Sequence, residues 1–202
     1  MTEPGFLLMK SRIVQMLNTG LDPRLTYHNR HHTEDVLQHA ERIALAENIS
    51  DIRLLLLIKI AALFHDTGYL YTYRGHEEQS CVIMDRHLSA MDFNQRDIVF
   101  IGETIMATKV PQSPVTMAAK ILCDADLDYL GRDDFEMING KLKEELLAYR
   151  LIECEDWDHV QVNFLEKHRY FTEASYKDRN PGKLQHLRKL KENRANERPK
   201  PD

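Results

Sequence analysis

The chain has 202 residues, a net charge of −5 with ten histidines counted as neutral, 43% hydrophobic residues and 29% charged ones, which suits one globular domain with a sizeable core. There is no basic excess to suggest stable nucleic-acid binding, and the most apolar run, Leu54 to Phe64, is too short for a bilayer and is interrupted by Lys59, so no membrane partner is expected. Cys81, Cys123 and Cys154 form no C-x-x-C pair and read as free, mostly buried thiols of a reducing compartment; with an acidic, amphipathic opening at Met1-Thr2-Glu3-Pro4, the expected location is the cytoplasm.

The pattern along the chain predicts helices almost throughout. Phe6 to Leu17 carries apolar residues at helical spacing and stops at Gly20. After a turn at Asp22-Pro23, Tyr27 to His32 leads into a helix reaching about Glu47. Ser50 is the expected N-cap of a buried helix that ends at His65-Asp66, and Thr67-Gly68-Tyr69 breaks it. Leu70 to Gly75 is expected to form a loop over a site. Further helices are expected from His76 to about Leu88, Asn94 to Thr108, Val115 to Leu130, Asp133 to Arg150 and Glu155 to Tyr176. Val110-Pro111-Gln112-Ser113-Pro114 and Gly131 serve as breaks between them. No segment alternates with period two between hairpin turns. The expectation is an all-α bundle of about eight helices. It would occupy residues 1–180 as a single domain, with 181–202 as a charged surface helix fraying into a disordered tail.

Three pieces of this chain carry chemistry. His28 and His32 are four apart, so on a helix they would share a face, and imidazole is a common ligand of divalent metals. His65-Asp66 follows Ala61-Ala62-Leu63-Phe64 at the end of the most buried helix, where an unpaired charge is costly and a metal is an economical partner. Asp124, Asp126 and Asp128 crowd three carboxylates into five residues beside Ile121, Leu122 and Leu127. One of them is expected to point inward as a ligand while the others face water. Each piece alone has an ordinary explanation, as a polar helix start, a helix terminus or an acidic stripe.

In combination they resemble the HD superfamily of metal-dependent phosphohydrolases, whose pattern is H…HD…D on an all-helical core. The resemblance covers roughly Thr26 to Gly131. Tyr27-His28-Asn29-Arg30-His31-His32-Thr33-Glu34-Asp35-Val36 is similar to the YHNxxHxxDV segment of cyclic-nucleotide phosphodiesterases, and His76-Glu77-Glu78-Gln79-Ser80 to an HExxS segment found after the HD helix in small HD proteins. The resemblance implies His32, His65, Asp66 and either Asp126 or Asp124 as metal ligands. Asp126 fits best because a small residue and a leucine flank it. His28 would be the general acid. Mammalian-type phosphodiesterase domains are considerably longer, and their glutamine-bearing purine pocket has no recognised counterpart here, so cyclic-nucleotide specificity does not carry over.

The implied activity is hydrolysis of a small phosphorylated metabolite, a nucleotide mono- or diester, by water activated at one or two divalent ions. The His-Asp-Asp donor mix suits Mn, Fe, Mg, Ni, Co or Zn. Asp66 would bridge two ions if two bind. Lys109, His76 and Arg30 are the candidate substrate contacts. Trp157, Phe164, Tyr170 and Phe171 are expected to pack in the core, with one available to stack on a base. Two alternatives remain. One is an alarmone-type pyrophosphohydrolase, disfavoured because Thr67-Gly68-Tyr69-Leu70 lacks the acidic pair such enzymes carry after His-Asp. The other is a non-catalytic domain sensing metal or nucleotide. A homodimer stays open.

Overall fold

The structure is a computed structural model that describes residues 2–91, 93–154 and 157–197. Among these residues there are nine α-helices, two short 3-10 turns and no strand, the all-α class that the apolar spacing predicts. The helices are α1 (Glu3–Gly20), α2 (Arg30–Ala46), α3 (Ile52–Phe64), α4 (His76–Ser89), α5 (Gln95–Met106), α6 (Met117–Asp126), α7 (Phe135–Ala148), α8 (Trp157–Lys167) and α9 (Glu173–Glu197). None of the described helices is long and apolar enough to cross a membrane. The three cysteines are unpaired; Cys123 is buried, Cys81 half-buried and Cys154 exposed.

α3 is the hub, packing against α1, α2, α4, α5 and α6. Ile58 and all of Ile60, Ala61, Ala62, Leu63 and Phe64 have no exposed surface, which is why its pattern shows no polar face. Lys59 escapes by extending to the Glu41 carboxylate at 3.1 Å, with its ammonium over the Phe6 ring. Its cap is Asp51, not Ser50: the Asp51 carboxylate accepts from the Arg53 and Leu54 amides at 2.8 and 3.3 Å. Asp and Ser cap about equally well, so propensity does not decide between neighbours.

Other boundaries differ from expectation too. Asn29 caps α2, accepting from the His31 amide at 2.9 Å, so His28 precedes the helix and does not share a helical face with His32. The expected helix from Val115 to Leu130 starts at Met117 behind the Thr116 cap and ends at Asp126, before a 3-10 turn at Asp128–Gly131. The expected helix from Glu155 to Tyr176 begins on two residues outside the described ones, and the rest is α8 and α9, separated at 168–172. The break has a cause: the Phe171 and Thr172 amides donate to the buried Asp124 carboxylate, and the Thr172 hydroxyl accepts from the Ser175 amide. α9 then runs through position 181 without interruption, so the change in composition there is not an element boundary. Its docking is backbone to backbone, since a Cβ on Gly131 would lie 2.1 Å from the Arg179 carbonyl oxygen and one on Gly182 2.3 Å from that of Gly131. Residues 198–202 of the expected tail lie outside the described residues.

The apolar interior has two parts. The larger is built by α1 to α6 around α3. The smaller gathers Tyr27, Leu127, Tyr129, Leu130, Phe135 and Leu165 between the second 3-10 turn, α7, α8 and α9. The chemistry-bearing side chains lie where the two meet.

Candidate metal centre

Four of the expected ligands converge. His32 comes from the first turn of α2, His65 and Asp66 from the end of α3, and Asp126 from the last residue of α6. His32, His65 and Asp66 are buried, and one donor atom from each lies within 4.8 Å of the others, a group able to hold a metal ion. Asp66 Oδ2 is 3.3 Å from both His32 Nε2 and His65 Nε2, yet it makes no hydrogen bond to either. Asp126 Oδ1 is 3.1 Å from His32 Nε2 and 3.6 Å from His65 Nε2. A buried carboxylate oxygen close to two imidazole nitrogens but bonded to neither lacks the partner its burial demands, and a cation at the common point of these donors supplies one. The donor set therefore fits a divalent metal. The His65 ring is already turned for ligation, because its Nδ1 donates to the Ala62 carbonyl at 2.8 Å and leaves Nε2 as the ligating nitrogen.

Charge organises the group. Burial pushes both imidazoles toward the neutral form, but the facing Asp66 and Asp126 carboxylates outweigh it, raising His32 to about 9 and His65 well above the usual histidine value. Burial pushes the two carboxyls up, and the same imidazoles hold both well below the usual carboxylate range.

Beside this group stand His28 and His76, each stacked on Tyr69 with ring centroids 4.4 and 4.0 Å away. His28 Nδ1 makes a very short hydrogen bond to Glu145 Oε1. Glu145 is fully buried and also accepts from the Tyr27 amide, the His28 amide and the Tyr73 hydroxyl, each at 2.9 Å. Burial pushes Glu145 up, and these bonds more than offset it, holding it below the usual glutamate range. His76 Nε2 lies 3.5 Å from Asp66 Oδ1 and 3.6 Å from Glu77 Oε1, so the second Asp66 oxygen faces a separate imidazole. That approach needs Gly68: a Cβ there would fall 1.9 Å from the His76 carbonyl oxygen, and the Gly68 amide donates to Ser80 Oγ at 2.8 Å. Ser80 of the HExxS segment thus ties the end of α3 to α4.

Two expected substrate contacts are not brought to this site. Lys109 is half-exposed and engaged with Glu78, and Arg30 faces Glu34 along the outer surface of α2 at 3.8 Å; neither lines the site. The expectation that the spare aspartates face water is also corrected. Asp124 and Asp128 are both fully buried. Asp124 holds the α8–α9 connection, and Asp128 pairs with Arg42 at 2.7 Å and Arg179 at 3.0 Å, locking α9 to α2. Glu145 is a site residue that the motifs did not mark, and Glu77 is the glutamate of the HExxS segment, to which the sequence assigned no role.

The group forms one end of a cavity of about 420 Å³, which His28, Asp66, His76, Glu77 and Asp126 share with the apolar side chains of the smaller core. Trp157 is buried and Phe164 packs against the smaller core, as expected, and both also form part of the cavity wall. No family model, curated protein or solved structure matches the chain significantly. What the chain does must therefore be argued from its own side chains.

Proposed function

We propose that the protein is a metal-dependent hydrolase of a small phosphate ester, in keeping with its resemblance to HD phosphohydrolases, with a nucleotide mono- or diester as the class expected from sequence. The observation that carries this reading is the orphaned Asp66 Oδ2 among His32, His65 and Asp126 at the end of a cavity. His32, His65, Asp66 and Asp126 would hold the ion; Mn, Fe, Mg, Ni, Co and Zn all suit such imidazole and carboxylate donors. When bound, a divalent cation acidifies water and offsets charge on phosphoryl oxygens.

The remaining roles belong to the chain. His28 is suited to protonate the leaving oxygen: its Nδ1 is committed to Glu145, which leaves Nε2 available to the cavity and sets the ring's orientation. Glu145 is a positioning residue, since it touches His28 and not the cavity's contents. His76 faces the second Asp66 oxygen and can support a second ion or a phosphoryl oxygen.

The test is hydrolysis of phosphomonoesters, cyclic nucleotides and nucleoside triphosphates by protein reconstituted with each of these metals. Asp66→Ala should lose both metal, by elemental analysis, and turnover. His28→Ala should keep metal but lose ~10²–10⁴-fold in kcat on an ester with a poor leaving group, and far less on a 4-nitrophenyl ester, whose leaving group hardly needs a proton. Full metal content in the Asp66 variant would reject the ligand set. Equal losses on the two esters would reject the acid role.

A further inference from the structure

The geometry points to a substrate whose organic half is uncharged and largely apolar. That the occupant is a substrate rests on the phosphohydrolase reading above; the preference of the cavity does not.

The cavity has two unlike ends. The reactive end carries His28, Asp66, His76, Glu77 and Asp126, and the other is walled by Leu127, Leu130, Leu142, Leu146, Trp157 and Phe164. At about 420 Å³ it is within the ordinary range for small-molecule sites. Among the described residues lining it there is no lysine or arginine. An ion at the reactive end can meet one phosphoryl group, but nothing further along offers a cation to a second phosphate or a carboxylate, and Glu77 adds like charge. A sugar would leave several hydroxyls facing leucines, each dehydrated without a partner.

Thr108, Asn139 and Gln161 also line the cavity, but Gln161 is only 5% exposed, and leucine and aromatic side chains make up most of the wall. The occupant described by these walls is a ring or branched hydrocarbon esterified to phosphate at the metal end. This disfavours polyphosphates and alarmones, and it replaces the nucleotide ester expected from sequence with an ester that carries no sugar.

Trp157 is the chain's sole tryptophan and lies in this wall, so its fluorescence reports occupancy without metal or turnover. Metal-free full-length protein is titrated with camphor, a neutral bicyclic ketone, and with ribose. Camphor should change Trp157 emission saturably, and ribose should not. Leu146→Phe, at a partly buried wall position, adds no second indole and should crowd the cavity and weaken camphor binding. In parallel, manganese-loaded protein is compared on benzyl phosphate, ribose 5-phosphate and ADP, with benzyl phosphate expected to lead in kcat/KM by tenfold or more. Saturable camphor binding that weakens in Leu146→Phe, without hydrolysis of any ester, would support the cavity assignment and reject the phosphohydrolase reading. Hydrolysis led by ribose 5-phosphate or ADP would keep that reading and overturn the cavity assignment, as would equal camphor binding by wild type and Leu146→Phe.

Discussion

Asp126 Oδ1 lies 3.1 Å from His32 Nε2, whereas Asp124 accepts hydrogen bonds from the Phe171 and Thr172 amides and the Thr172 hydroxyl at 2.6–2.8 Å; the two carboxylates are expected to fail differently. Asp126→Ala should deplete bound metal in reconstituted protein while moving the unfolding midpoint of the metal-free form little. Asp124→Ala should leave two buried amides without an acceptor and destabilise by roughly 2–4 kcal/mol. Its metal affinity should be retained in the folded fraction. Urea unfolding together with elemental analysis checks both; metal loss in the Asp124 variant at wild-type stability would exchange their roles. Asp126 was legible because a small residue and a leucine flank it, but the companions of Asp124 were not, lying 47 and 48 residues away. Glu145 is a similar case. It stands 117 residues from His28, and the local hint was a charge on the inward stripe of Leu142, Leu146 and Tyr149. That stripe predicts burial, but it does not say which histidine the carboxylate meets.

Helices were legible as elements because their apolar spacing is local, and their ends were less so because several adjacent residues cap equally well. Ser50 and Asp51 make the point at the start of α3. Asp51→Ala should cost about 1 kcal/mol, since it removes the acceptor for the Arg53 and Leu54 amides. Ser50→Ala should be nearly neutral, within the ordinary range of about ±0.5 kcal/mol for surface changes. Chemical denaturation of the two variants measures this; a larger loss at Ser50 would return the cap to the position favoured from sequence. The same competition placed Asn29 ahead of α2 and so put His28 outside the helix. His28 still comes within 5.7 Å of His32, ring centroid to centroid, because Glu145 on α7 holds its ring and its backbone amide together. A tertiary contact thus does what helical periodicity was expected to do.

Across the whole molecule, the connection at 168–172 joins the two parts of the interior, and His168 sits in it without a partner for either ring nitrogen. Burial first, and then the Lys183 ammonium, lower His168 to about 3. The unfolded chain, with a histidine near about 6.5, therefore binds more protons between about pH 3 and pH 6.5. The contribution of His168 to stability is complete above that window and is lost as pH falls through it. From pH 7 to pH 5 the loss is about 2 kcal/mol, at ~1.4 kcal/mol for each unit below the unfolded value. His168→Phe keeps an aromatic ring where His168 packs against Phe164 and Tyr170 and carries no proton. Urea unfolding of both proteins at the two pH values separates this residue from the carboxylates, whose contributions are common to both. Wild type should lose about 2 kcal/mol more than the variant on acidification, and an equal loss would mean that His168 takes up its proton within the folded protein. Because the same connection supplies the amides that hold Asp124 on α6, two residues before Asp126, acid opening at His168 should loosen the metal centre as well. Metal release, which should begin below about pH 6.5 in wild type, should then shift to lower pH in the phenylalanine variant, beyond any direct proton competition at His32 and His65, which the two proteins share.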